Sequence, residues 1–124
     1  MEKVVVKCLR EYLEANSILS RNQFGFRPGR STMEQLLLVY DNVAEVIDVI
    51  LFDYSKAFDV VCPEILLKKL QSIGIVGKLL DWIGSSLVGR TMRVCVKGKT
   101  SSERTVLSGV PQGSVLCPLL FDLY

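Results

Sequence analysis

The chain has 124 residues, 49% apolar and 23% charged, which is one domain's length with enough apolar material for a core and excludes a disordered composition. Its 15 basic and 13 acidic residues nearly cancel, so nucleic-acid contacts would have to come from local clusters rather than a strongly basic whole. The absence of histidine removes the commonest general base and the usual Ser-His-Asp arrangement. It also leaves Cys8, Cys62, Cys95 and Cys117, none in a Cys-x-x-Cys pair, without the partners a zinc site needs. No stretch approaches the ~20 apolar residues of a membrane span and no basic-then-apolar leader opens the sequence, so a soluble, intracellular style of chain is expected. The basic clusters are Arg21, Arg27 and Arg30, then Lys68 and Lys69, then Arg90, Arg93, Lys97 and Lys99; the lysines read as solvated surface charge.

In chain order, Val5, Leu9, Tyr12 and Leu13 recur at helical spacing and predict an amphipathic helix over 3–15. Residues 16–23 are polar and turn-like, and Phe24-Gly25-Phe26-Arg27-Pro28-Gly29-Arg30 is a loop that cannot continue a helix. Ser31-Thr32-Met33-Glu34 reads as a capping box opening a second helix. Met33, Leu36, Leu37, Tyr40, Val43, Ala44 and Ile47 give that helix its apolar face. It runs almost directly into the apolar run Val49 to Phe52, read as a buried strand. Helix-to-strand connections take about 2–6 residues, so either the helix ends early, near Asn42, or residues have been lost at the junction.

Pro63 suits the first turn of a third helix, with Leu66, Leu67, Leu70 and Ile73 on its buried face and Gly74 as its C-terminal cap. A fourth helix follows around Leu79 to Leu87. Met92, Val94 and Val96 alternate with Arg93, Cys95 and Lys97, predicting a half-buried strand that turns at Lys97-Gly98-Lys99 and returns through Ser101 to Leu107. Residues 115–124 are apolar and read as a final helix with Pro118 early in it.

Two stretches carry the chemistry. Phe52-Asp53-Tyr54-Ser55-Lys56-Ala57-Phe58-Asp59 places a carboxylate directly after the apolar run, and Ser108-Gly109-Val110-Pro111-Gln112-Gly113-Ser114 is a Gly-Pro-Gln-Gly loop leading into another apolar segment. A lone aspartate in the position of Asp53 more often caps a turn than binds a metal. The loop lacks the Gly-x4-Gly-Lys-Ser/Thr pattern, and Ile73-Gly74-Ile75-Val76-Gly77 lacks Gly-x-Gly-x-x-Gly, which argues against an ordinary phosphate-binding domain.

With Gln23 to Thr32, and with Ile73-Gly74-Ile75, Trp82-Ile83 and Gly89-Arg90 between them, the two stretches stand in an order that resembles the reverse transcriptases of non-LTR, LINE-like retrotransposons. The resemblance covers nearly the whole chain and reverses the bland reading of Asp53. It implies an α+β fold, a partial fingers-palm of a right-hand polymerase with an incomplete palm sheet and no thumb. On that reading residues 1–47 are fingers-like and 48–124 a partial palm. It implies that Asp53 binds Mg2+ (or Mn2+), with the backbone carbonyl of Tyr54 as a further ligand, in a two-metal nucleotidyl transfer. Phe58 would lie beneath the incoming sugar, and Gln112 and Gly113 would line the nucleotide pocket. Arg27 and Arg30 would contact template or triphosphate, since a fixed guanidinium fork suits phosphate. Asp59 is expected to be structural. The partners implied are an RNA template, a DNA primer and deoxynucleoside triphosphates, with no membrane.

The sequence also departs from that family. Pro63 stands where a histidine or polar residue is usual, Cys117 where glycine is usual, and Asp122 within a normally apolar run. The segment before the Asp53 strand is short, and no aromatic-x-Asp-Asp occurs in the 124 residues. The expectation is therefore a decayed or partial copy, inactive in isolation. Its alternatives are a non-catalytic nucleic-acid-binding remnant that works through Arg27, Arg30 and Arg90, or a translated relic without function.

Overall fold

The structure is a computed structural model and describes residues 1–43, 48, 50 and 52–124. Helix α1 spans Glu2–Ala15 and buries Val6, Leu9 and Leu13. That stripe is rotated slightly from the expected one, and leaves Tyr12 at its edge. There the Tyr12 hydroxyl donates to the carbonyl of Ile73 at 2.7 Å, tying α1 to the end of a helix 61 residues further along the chain.

Helix α2, Thr32–Val43, begins on the expected capping box. The Ser31 hydroxyl accepts from the Glu34 N–H at 3.1 Å, and the Glu34 carboxylate accepts from the Ser31 N–H at 3.2 Å. Its apolar face does not reach the core, and none of its residues is buried. Met33, Leu36, Leu37 and Tyr40 are all more than half exposed, a correction to the amphipathic reading. Periodicity marks a face that can be covered, but what covers it is a tertiary matter. Ala44 and Ile47 of that face lie outside the described residues, as do Val49 and Leu51 of the expected strand. Ile50 and Phe52 are described: they stand in no strand and are 76% and 88% exposed. The buried strand is thus not found among the described residues, where no strand pairs with this run to take up its backbone groups.

Helix α3, Pro63–Ser72, carries Pro63 in its first turn and buries Leu66 and Leu70. Past its end the Ile75 N–H donates to the Leu70 carbonyl at 3.0 Å, the long-range bond of a Schellman closure. Helix α4, Lys78–Leu87, buries Ile83 and Leu87 and packs against α3. Gly84 faces Leu67 there, where a Cβ would meet the Leu67 methyls at 3.6 Å, an ordinary van der Waals contact.

A hairpin follows. β1 (Thr91–Met92) pairs antiparallel with β4 (Arg104–Thr105), and β2 (Cys95–Val96) with β3 (Lys99–Thr100). Lys97 and Gly98 both have positive φ, 48° and 78°, the two-residue turn whose twist matches the strands it joins. Between the two pairs the Ser101 N–H donates to the Val94 carbonyl at 2.9 Å, while the Ser101 hydroxyl accepts from the Val94 N–H at 3.0 Å, so a side chain takes the place of one backbone acceptor. The strand and turn are where the sequence predicts, but Met92, Val94 and Val96 are exposed rather than half-buried, because no layer lies against that face among the described residues.

Helix α5, Cys117–Asp122, is shorter than the apolar run that encodes it. One core gathers Val6, Leu9 and Leu13 of α1, Leu66 and Leu70 of α3, Ile83 and Leu87 of α4, and Leu119 and Leu120 of α5, with Val61 and Val110 between them. The fold is thus helices with small antiparallel sheets, in agreement with the α+β expectation. Leu70 is fully buried at the centre of this core. Leu70→Ala should cost about 2–5 kcal/mol in urea unfolding, whereas Leu36→Ala on the exposed face of α2 should stay within about 0.5 kcal/mol.

Candidate functional site

The two motif segments meet. Residues 55–59 form a tight turn in which Lys56 takes a φ of 54° and its carbonyl accepts from the Asp59 N–H at 2.8 Å. Against this turn lies the Gly-Pro-Gln-Gly loop. The Gly109 N–H donates to the Val61 carbonyl at 2.7 Å, and the Val110 N–H to the Phe58 carbonyl at 3.0 Å. The Ser108 hydroxyl donates to the Asp59 carbonyl at 2.8 Å. Gly109, at φ +87°, has no room for a side chain: a Cβ would stand 2.9 Å from the Asp59 Cα and 3.0 Å from the Phe58 oxygen. From the other side Arg90 closes the joint, its Nη2 donating to the Gly109 carbonyl and its Nε to the Leu87 carbonyl at 3.0 Å.

At the outer edge of this joint the Gln112 side-chain amide donates to the Asp59 carboxylate at 2.8 Å. Gly113, next in the loop, has a φ of 84°. Phe58 is half-buried in an aromatic cluster, edge-on to Phe26 at 6.1 Å and tilted over Phe121 at 4.4 Å between centroids. The cluster thus ties the early Phe-Gly-Phe loop, the Asp53 segment and α5 together. Tyr54 lines an apolar cleft of ≈ 310 Å³ with Ala57, Val60, Phe121 and Tyr124. Asp53 is exposed and takes part in none of the described hydrogen bonds or ion pairs. The acid that the fold brings to Gln112 is therefore Asp59, six residues on, and its position in the motif alone does not show this.

The two arginines of the early loop are engaged internally. Arg27 makes a bidentate pair with Glu14, at 2.6 and 2.7 Å, and donates to the Ser20 carbonyl at 2.7 Å, which leaves its side chain 11% exposed. Arg30 lies over the Phe24 ring at 4.8 Å, a cation–π contact. Arg93 of the hairpin pairs with Glu103 at 2.8 Å. Asp122, the odd acid in the last helix, accepts from the Gln23 amide at 2.9 Å. Burial raises its carboxyl to about 6, against the hydrogen bond from Gln23 and the charges of Arg10 and Arg27.

Two-metal chemistry needs several hard oxygen ligands held together. Among the described residues no three acidic, cysteine or histidine side chains converge, and the carboxylate of Asp59 is committed to an amide. The donor set present among the described residues does not fit a two-metal centre. Also among the described residues, no helix is long and apolar enough to cross a membrane.

Residues 1–124 match the family described as reverse transcriptase (RNA-dependent DNA polymerase), and the chain belongs to that family. Among its relatives are the probable RNA-directed DNA polymerase from transposon X-element of Drosophila melanogaster, 35% identical over 99% of this chain, and that from transposon BS of the same organism, 31% identical over 99%. The RNA-directed DNA polymerase from mobile element jockey of Drosophila funebris is 32% identical over the whole chain. The chain spans 14% of the length of each of these relatives. No solved structure matches it.

Two outcomes follow from this geometry. Gly109→Ala meets both the close contact and the positive φ, and should lower stability by at least about 2 kcal/mol, measured by thermal unfolding. For Asp122, the native carboxyl keeps its proton up to about pH 6 while the unfolded one releases it near 3.8. Stability therefore falls as pH rises through that window. Asp122→Asn should be more stable than the parent by about 1 kcal/mol at pH 7, after allowance for solvent screening, with the difference vanishing near pH 4.

Proposed function

We propose that the chain is a portion of the RNA-directed DNA polymerase of a non-LTR retrotransposon, drawn from the fingers (1–47) and part of the palm (48–124). The observation that carries this reading is the docking of the Gly109–Val110 backbone on residues 58–61, which joins the two family motifs into one unit. In the whole enzyme the partners would be an RNA template, a DNA primer and deoxynucleoside triphosphates, with Mg2+ or Mn2+. Gln112 and Gly113 would face the nucleotide, and Phe58, packed between Phe26 and Phe121, would form the floor beneath its sugar. Asp53, with the Tyr54 carbonyl, would supply one acid of the metal site, and the described residues supply no partner for it.

That shortage sets the activity expected of this chain. Of the later acids, Asp59 holds Gln112, Glu103 pairs with Arg93 and Asp122 accepts from Gln23. Glu64 and Asp81 are exposed side chains in the first turns of α3 and α4. The binding-remnant alternative gains little, since Arg27 and Arg90 have their guanidinium groups committed internally and only Arg30 retains an exposed one.

Purified chain should give no DNA synthesis on a primed RNA template with magnesium or manganese. Extension that disappears in Asp53→Ala would overturn the reading and mean that a second carboxylate completes the site. In a filter-binding titration, Arg27→Ala should leave the salt slope of any template retention unchanged while lowering the melting temperature. Arg30→Ala should reduce that slope by roughly one phosphate contact.

A further inference from the structure

Gln112 is a neutral amide, and an amide has two ends that differ in what they offer: its nitrogen donates twice, its oxygen only accepts. Which end faces a ligand decides which ligand atoms it can recognise. In a free side chain the two ends exchange by rotation. Here one end is held, because the Nε2 group donates to the Asp59 carboxylate at 2.8 Å. An ionised carboxylate only accepts, so it can hold the nitrogen end and not the oxygen end. The remaining N–H and the Oε1 of Gln112 enter none of the described hydrogen bonds.

We propose that Asp59 is a positioning residue, whose carboxylate fixes the Gln112 amide so that its carbonyl end is presented to the incoming nucleotide. The proposal rests on the reading of the 108–114 loop as a nucleotide-lining segment. Asp59 itself is well anchored for the task. Its N–H donates to the Lys56 carbonyl at 2.8 Å, its own carbonyl accepts from Ser108, and its neighbours Phe58 and Val61 carry the backbone bonds to Val110 and Gly109. Carboxylate and amide are thus brought together by two backbone segments already locked to each other, so their contact costs little extra ordering of the chain. No competing cation holds the acid, since the described ion pairs are Lys7–Glu11, Arg27–Glu14 and Arg93–Glu103. Pro111 precedes Gln112 with its φ restricted, and the Ser114 N–H closes back on the Pro111 carbonyl at 3.2 Å, so the loop that carries the amide is itself closed.

The test uses the full 124-residue chain, 15N-labelled, and follows the side-chain amide protons of its glutamines. Gln35 and Gln71, exposed on helices, are internal references. The Gln112 amide protons should exchange about fivefold more slowly than those two, and Asp59→Ala should abolish the difference. Gln112→Glu should set two carboxylates against each other and loosen the backbone amides of 108–114. Adding Asp59→Asn to that variant supplies a donor to the new acid and should restore their protection. A purely structural role for Asp59 would not predict this exchange of donor and acceptor, and the double variant decides the matter even where Asp59→Ala fails to fold. Unchanged Gln112 exchange in Asp59→Ala, or a double variant no better protected than Gln112→Glu alone, overturns the proposal. Titration with a deoxynucleoside triphosphate and Mg2+ then separates the two claims. Shifts at Gln112 that are lost in Asp59→Ala support the presentation of its carbonyl. No shift anywhere in the loop, with the hydrogen bond intact, overturns the nucleotide assignment rather than the clamp.

Discussion

The absence of a side chain at Gly109 is the constraint on which the site depends. Two backbone segments can exchange hydrogen bonds at 2.7 and 3.0 Å only if nothing projects between them, and at this crossing a Cβ would fall within 3.1 Å of three backbone atoms. The contact is made by main-chain groups, whose pairing is obligatory once they are buried. It therefore fixes the relative position of residues 58–61 and 108–110 more firmly than surface side chains would. Ser108, Arg90 and Gln112 add to a joint that the backbone has already defined. Val61 and Val110, on either side of it, point into the helical core, so joint and core form together.

The core holds that joint in place but leaves much apolar surface outside. Helix α2, the hairpin face of Met92, Val94 and Val96, and the residues Ile50, Phe52 and Leu107 are all exposed. Their residue types suit a layer lying against them, whereas α1, α3, α4 and α5 satisfy one another. Among the described residues the molecule is thus well packed around α3 and open at Ile50 and Phe52, ahead of Asp53. The polar interactions divide in the same way. Arg27–Glu14 and Gln23–Asp122 bind the early loop to α1 and α5, while Asp53 stands exposed and enters none of the described hydrogen bonds or ion pairs.

Membership of the reverse transcriptase family does not require every family motif to be assembled among the described residues. The family's motifs are present in order and are assembled in part, around Asp59 and Gln112 rather than around Asp53. The aromatic cluster of Phe26, Phe58 and Phe121 shows how residues far apart in sequence are drawn onto one floor. The 108–114 loop is therefore well formed although no cluster of acids converges among the described residues.

Local signals in the sequence determined most of the elements. The helical spacing of α1, the Ser31–Glu34 capping box, Pro63 at the start of α3 and the Lys97-Gly98 turn each act within a few residues, and each element appears where those signals put it. The motifs in their order also determined the family, because they concern residue type and spacing. Tertiary structure alone decided which apolar faces are covered and which acid meets the glutamine. The stripe of α2 and the alternation of Met92, Val94 and Val96 are as regular as those of buried elements, and burial depends on a partner that no local pattern specifies. The sequence marked Asp53 as the candidate ligand and Asp59 as structural, but nothing local showed which of the two acids would meet Gln112. That is decided when the bond from Gly109 to Val61 brings Gln112, fifty-three residues downstream of Asp59, against Asp59.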